Sequence, residues 1–126
     1  MSNRAEVLAA YQGYLDAFMA SDEQAIRECV RWPCAVIGAE RAESVDEFPY
    51  SPTDLKRHKD WATSAGLEID VVAVSDVKAH VLLRNCERVR ADGTLIEEVS
   101  AFYAFTKTAN GWKIFAMSSI EFPATP

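Results

Sequence analysis

The sequence is poor in the residues that carry most metal and redox chemistry. Its two histidines, His58 and His80, stand in separate segments, and its three cysteines, Cys29, Cys34 and Cys86, show no C-x-x-C spacing. With no H-x-x-x-H, no clustered carboxylates and no paired thiols, no metal is expected. An odd set of cysteines inside apolar runs reads as free, buried thiols in a reducing compartment and not as a disulfide framework. The five glycines form neither a phosphate-cradling loop nor a G-x-S-x-G elbow, which removes nucleotide hydrolysis and α/β-hydrolase chemistry and leaves no cofactor to expect. Positive charge is in deficit as well: thirteen Lys and Arg face nineteen Asp and Glu, a net charge of -6, so a phosphate-binding surface would oppose the overall field and nucleic acid is not an expected partner. No long apolar run is present either. The N-terminal stretch carries Arg4, Glu6 and Asp16 and is neither a signal sequence nor a spanning helix, so no membrane association and a cytoplasmic location are expected.

What is there suits one globular domain over residues 1–126, with 49% apolar and 25% charged residues. The Pro-bearing patches, 48–52 and 122–126, are too short to be linkers. Val7, Leu8, Tyr11, Leu15, Phe18 and Met19 recur at helical spacing and predict an amphipathic helix over 4–20. Ser21 stands three residues before Gln24, a capping-box spacing that predicts a second, shorter helix. Trp32-Pro33 stops it, and Cys34 to Ile37 reads as a short strand. Residues 40–50 are weakly patterned. Ser51-Pro52-Thr53-Asp54 supplies an N-cap, a first-turn proline and an early carboxylate, predicting a third helix that ends near Gly66.

From Leu67 the period falls to two. Runs over 67–77, 79–90, 94–108 and 112–122 are β-rich, and Asp92-Gly93 and Asn110-Gly111 are hairpin turns that join the last three. The expected fold is therefore α+β, with three helices packed on a curved, mainly antiparallel sheet. Two-residue turns fix a register. Leu82 then pairs with Tyr103, Arg84 with Ala101, Cys86 with Val99 and Arg88 with Glu97; Phe105 pairs with Ala116, Tyr103 with Ser118 and Ala101 with Ile120. This set forms the more apolar, helix-facing side. The opposite side carries Phe102, Phe115 and Met117 beside Glu87, Glu98 and Glu121, a mixed face expected to be covered by a second copy of the chain in a homodimer.

The succession of a first helix running into Tyr14-Leu15-Asp16-Ala17-Phe18-Met19-Ala20-Ser21-Asp22, the Pro-Cys-Ala-Val-Ile strand, the Asp92-Gly93 turn and the Asn110-Gly111-Trp112-Lys113-Ile114 hairpin resembles the nuclear-transport-factor-2-like (NTF2-like) superfamily, also called SnoaL-like or the cystatin-like cone. The resemblance spans nearly the whole chain. It implies a ligand pocket between helices and concave sheet and dimerisation through the sheet, on a scaffold that hosts isomerases, dehydratases, cyclases, epoxide hydrolases and non-catalytic modules. Gln12-Gly13-Tyr14 followed by Ser21-Asp22 is also similar to the first helix of steroid Δ5-isomerases, whose tyrosine donates a hydrogen bond to the substrate oxyanion; Tyr14 is the matching position. That pattern further requires a carboxylate after the first strand and an acid in the penultimate strand, where this sequence has Ile37-Gly38 and Ala101. The resemblance therefore implies the pocket without the isomerase acids.

Individual side chains carry two readings each. Tyr14 either orients a carbonyl in the pocket or packs on the helix face with its hydroxyl at the rim. Arg88, with Glu97 opposite, reads as half of a cross-strand ion pair. Arg84, with only Ala101 opposite, is the better ligand candidate, and a guanidinium there would favour an acidic small molecule, unless its side chain reaches to the edge. His80 and His58 are either acid-base groups or structural histidines. Cys34 and Cys86 approach the cavity, where inert buried thiols are the simpler expectation. Trp32 and Trp61 serve as walls, and Tyr103 and Ser118 as further polar points. The expectation is a small-molecule-binding protein with a largely apolar cavity, or a cofactor-free enzyme of acid-base type; the alternative is a non-catalytic homodimeric binding or assembly module whose cavity is filled by Trp32, Trp61 and Tyr103.

Overall fold

The computed structural model describes residues 2–124. Met1 lies outside them, as do Thr125 and Pro126 of the Pro-bearing tail. Three helices, α1 (Asn3–Met19), α2 (Glu23–Glu28) and α3 (Pro52–Lys59), accompany seven strands: β1 (Val30–Ile37), β2 (Ala42–Val45), β3 (Thr63–Ala65), β4 (Glu68–Val74), β5 (Lys78–Val89), β6 (Leu95–Thr108) and β7 (Gly111–Pro123). The strands form one curved, open sheet in the order β2-β1-β7-β6-β5-β3, with β4 also paired to β5 and with β1 parallel to β7. The α+β architecture expected from the sequence is the one observed.

α1 presents Val7, Tyr11, Tyr14 and Ala17 to the sheet, one residue per turn, and all four are buried. They meet Val81, Leu83, Val99, Tyr103, Phe105 and Ile114 in the core. The predicted helix boundaries need three corrections, one being that α2 ends at Glu28 and is not stopped by Trp32-Pro33, which lies inside β1. Asp22, not Ser21, caps α2, its Oδ1 accepting from the Ala25 N–H at 3.1 Å, while Ser21 adopts a left-handed φ of 54° that closes the turn from α1. α3 ends at Lys59 and not near Gly66, because Asp60 takes the left-handed conformation and the next residues pair with β5 as β3. The first strand is longer than Cys34 to Ile37. It starts at Val30 and crosses Pro33 where its pairing with β7 is interrupted, so the missing proline N–H breaks no ladder bond.

The larger corrections concern register, and each has a single-residue cause. The Asp92-Gly93 hairpin closes between Arg90 and Thr94 with three turn residues instead of two, and an extra residue at Ile96 restores the pairing, so that from Arg88 to Cys86 β5 faces Glu97 to Val99 as expected. Beyond that point Arg84 and Asn85 together oppose Ser100, with Asn85 at a φ of 56°, and the pairing resumes as Leu83 with Ala101 and Val81 with Tyr103. This bulge turns Val81 and Leu83 inward and Arg84 outward. In β7 the turn residues are Ala109 and Asn110, with Gly111 paired to Thr108 at a φ of 98°. The Thr108 hydroxyl, donating to the Gly111 carbonyl at 2.8 Å and accepting from the Asn110 N–H, holds this turn one position earlier than the sequence motif suggests. A second bulge at Phe115 then leaves Tyr103 opposite Met117 and Phe102 opposite Ser118. Met117, Ser119 and Glu121 thus line the inner side, and Ser118 and Ile120 the outer one. Bulges of this kind add twist and curl to the strands that carry them.

Asn85 is the residue that lets β5 change faces. Asn85→Val should cost about 1–2 kcal/mol, the penalty of a β-branched residue in the left-handed region, whereas Asn85→Gly should stay within about 1 kcal/mol of the wild type. Urea denaturation of the two variants checks this, and a valine variant as stable as the glycine variant would contradict the bulge.

Candidate functional site

Between α1, α3, the 46–51 segment and the inner sheet face lies a cavity of about 910 Å³. Its aromatic walls come from three sources. α1 contributes Tyr14 and Phe18, the 46–51 segment Phe48 and Tyr50, and the sheet side Trp61 and Tyr103. Phe48 lies 6.2 Å from both Tyr14 and Phe18, Phe18 lies 5.6 Å from Trp61, and Tyr103 lies 5.6 Å from Tyr14. Tilted and edge-on pairs of this kind are worth about 0.5–1.5 kcal/mol each beyond their burial, so the walls are held by one another as well as by the core.

The inner end of this aromatic shell is a tyrosine cluster. Tyr11 packs 4.9 Å from Tyr103 and 5.9 Å from Tyr14. Burial pushes all three phenols up. The buried Tyr11 hydroxyl has no hydrogen-bond partner. All three phenols stay protonated in any physiological buffer. Tyr103, protonated and on the cavity wall, can donate its O–H to a ligand acceptor.

On the β3 side the wall becomes ionic. Glu97 in β6 is only 4% exposed. Arg88 Nη1 donates to its Oε2 at 2.6 Å, and Lys59 Nζ from the end of α3 donates to Oε1 at 2.9 Å and Oε2 at 3.1 Å. Glu121 in β7 stands 3.7 Å from both cations. Desolvation works to raise the Glu97 carboxyl, but the Lys59 and Arg88 hydrogen bonds and charges outweigh it and hold the group below its ordinary value. The Arg88 guanidinium also lies 5.9 Å over Trp61, and Lys56 approaches the same ring at 5.7 Å. Cys86 completes this wall. Burial raises its thiol, against smaller opposing effects of a Ser64 hydrogen bond and the Arg88 charge, so it is a weak nucleophile.

Of the residues singled out from the sequence, Tyr14, His58, Trp61 and Tyr103 line the cavity. Cys86 and Arg88 line it as well, whereas Arg84, Ser118, His80, Trp32 and Cys34 lie elsewhere. Arg84 is turned out by its bulge and pairs with Asp70 at 3.2 Å on the exposed β4–β5 surface. Ser118 follows the Phe115 bulge to the outer face. His80 pairs with Ala104 and stacks 5.2 Å from Phe102, also outside. Trp32 donates its indole N–H to the Arg27 carbonyl at 3.1 Å beneath the Arg27 guanidinium, at the α2–β1 corner. Cys34 is fully buried in the core, where burial pushes its thiol up to about 11. The cross-strand pairing of Arg88 with Glu97 is as expected, but its place in the cavity wall was not read from the sequence. Nor were Lys59, Glu121, Phe48 and Tyr50. Phe48 and Tyr50 sit in the weakly patterned segment, where two aromatics flanking a proline were the one available signal.

A protein-family model described as "NTF2-like protein (DUF6841)" matches residues 5–121. The chain belongs to this NTF2-like family. Solved structures agree in fold. A ketosteroid isomerase-like protein from Erwinia carotovora atroseptica SCRI1043 is 21% identical with a TM-score of 0.64, covering 97% of this chain and 96% of that one. An NTF2-like protein from Cytophaga hutchinsonii ATCC 33406 is 13% identical with a TM-score of 0.65, covering 94% and 98%. An NTF2-like protein of unknown function from Shewanella baltica OS155 is 8% identical with a TM-score of 0.63, covering 95% and 94%. No curated protein matches the sequence. At these identities the likeness is one of NTF2-like architecture, and the chemistry has to be argued from the site.

The ionic wall gives a measurable pH dependence. Because the folded Glu97 carboxyl is held low, its stabilisation is fully present above the unfolded value of about 4.3 and is lost as pH falls through the folded value. Glu97→Gln should cost about 2–3 kcal/mol at neutral pH, since it leaves Arg88 largely buried without a counter-charge. The deficit should shrink once the wild-type carboxyl is protonated. Urea melts near pH 7 and near pH 3 test this, and an equal deficit at both would contradict it.

Proposed function

We propose that the cavity binds a small, largely apolar organic molecule carrying an oxygen acceptor, its flat body between the aromatic walls and its oxygen at the Tyr103 hydroxyl. The observation that carries this reading is the open volume itself: Trp61 and Tyr103 line the cavity without filling it. The preference for an acidic ligand rests on Arg84, which lies outside; of the cations that line the cavity, Arg88 and Lys59 are engaged by Glu97, and Arg27 donates to the Asp46 carbonyl. A carbonyl or hydroxyl compound therefore fits with less rearrangement than a carboxylate. If the site is catalytic, acid-base chemistry without a cofactor is the class it favours. Glu97 is clamped and a poor base; among the other carboxylates of the lining, Glu121, with a side chain 43% exposed, stands at the ionic end of the cavity and is the one this reading assigns to proton exchange with a ligand. Gly38 and Ala101 supply no acid, so a steroid-type double-bond shift is not part of this reading.

Thermal-shift screening with matched planar aromatic ketones, alcohols and carboxylates, followed by calorimetry, tests the reading. Ketones or alcohols should raise the melting temperature, and Tyr103→Phe should weaken the best of them about tenfold, the value of one well-placed hydrogen bond. A panel in which nothing binds, or binding equal in wild type and Tyr103→Phe, would contradict it.

A second observation favours self-association. On the outer sheet face Ile120 is 58% and Phe122 54% exposed, beside the half-buried Phe102 and Phe115, an apolar area of the kind a second copy would cover. In this reading the protein is a homodimer through the sheet, with or without catalysis. Phe102→Glu should shift light-scattering mass from dimer to monomer at micromolar concentration; a wild-type chain already monomeric there would overturn it.

A further inference from the structure

α3 closes one side of the cavity with Asp54, Leu55, His58 and Lys59, yet it is weakly built into the fold. Of its eight residues Pro52 alone is buried. Hydrophobic packing therefore does little to fix it, and a helix this short has little stability of its own. Two lysine ammonium groups, one turn apart on one face, make the principal bonds. Lys56 Nζ donates to the Met19 carbonyl at 2.7 Å and to Ser21 Oγ at 2.8 Å, where the exposed carbonyls at the end of α1 attract a cation. Lys59 Nζ reaches across to Glu97 in β6. The chain on either side is fixed: the Asp46 carbonyl accepts from Arg27 at 3.0 Å, and the Ala62 N–H donates to the Val89 carbonyl at 2.9 Å. Between these anchors and α3 lie residues 47–51, without regular structure, and Asp60, whose left-handed backbone ends the helix.

We infer that α3 is a lid over the cavity, held shut by the Lys56 and Lys59 latches and swinging on residues 47–51 and Asp60. Helix and latches move together, because both lysines leave their acceptors when α3 lifts. Glu97 keeps Arg88 when Lys59 departs, so the carboxylate is not stranded in the open state. The closing force is electrostatic and Lys59 is 37% exposed, which makes the lid sensitive to salt while the apolar core beneath it is not.

The test is hydrogen exchange followed by mass spectrometry on the full chain, and it needs no ligand, so its failure leaves the binding reading standing. In Lys56→Met/Lys59→Met, amides of residues 53–61 should exchange about tenfold faster, while β6 and β7 keep their wild-type rates. Lys59→Arg, which can still reach Glu97, should stay near wild type. Should the double variant fail to fold, the wild type carries the test alone: raising salt to about 1 M should accelerate residues 53–61 and not the central strands. Lid amides unmoved by salt and by the variants, or acceleration spread evenly over β6 and β7, would overturn the inference.

Discussion

The carboxylate of Glu97 is the interaction on which the site depends. A buried anion is tolerated only with close cationic partners, and here they come from two directions, Arg88 from the neighbouring strand and Lys59 from a helix on the far side of the cavity. One side chain therefore joins β5, β6 and α3. It fixes Arg88 beneath Trp61, draws the end of α3 down over the cavity and keeps both cations occupied. At this end of the cavity Arg88 and Lys59 are thus already engaged, and the polar groups a ligand meets along the lining include the neutral phenols and carboxylates such as Glu121.

The second constraint is curvature. Among the irregularities of the sheet, the extra residues at Arg84-Asn85 and at Phe115 decide which side chains of β5 and β7 face inward. They bring Leu83, Met117 and Glu121 to the inner face and expel Arg84 and Ser118. The long β6 strand, regular between them, carries Glu97, Val99, Ala101 and Tyr103 on the inner side throughout.

These two bulges also explain what could be read in the sequence. Helical periodicity identified α1 and the face carrying Tyr11 and Tyr14, and alternation with two glycine turns identified the β5–β6–β7 meander, because both signals are local. The alternation of β6 was legible from Glu97 to Tyr103. A bulge leaves almost no local trace, since Asn85 could equally sit in a regular strand, and one unmarked residue reverses every side chain beyond it. The sequence-derived register was therefore sound from Arg88 to Cys86 and failed at Arg84 and Ser118, past the bulges. Lys59, Phe48 and Tyr50 were illegible for another reason. They enter the site through tertiary placement of a short helix and an irregular segment, which no period encodes.

The clamp on Glu97 is open to direct measurement. Carbon-detected NMR titration of the side-chain carboxyls, with Glu97 assigned by comparison with Glu97→Gln, should show a midpoint below that of an ordinary glutamate, and the midpoint should rise in Lys59→Met as one of the two cations is withdrawn. A Glu97 midpoint at or above the ordinary value in the wild-type chain, or one unmoved by the loss of Lys59, would mean that the carboxylate is not held between α3 and β5 and that the cavity wall is assembled differently.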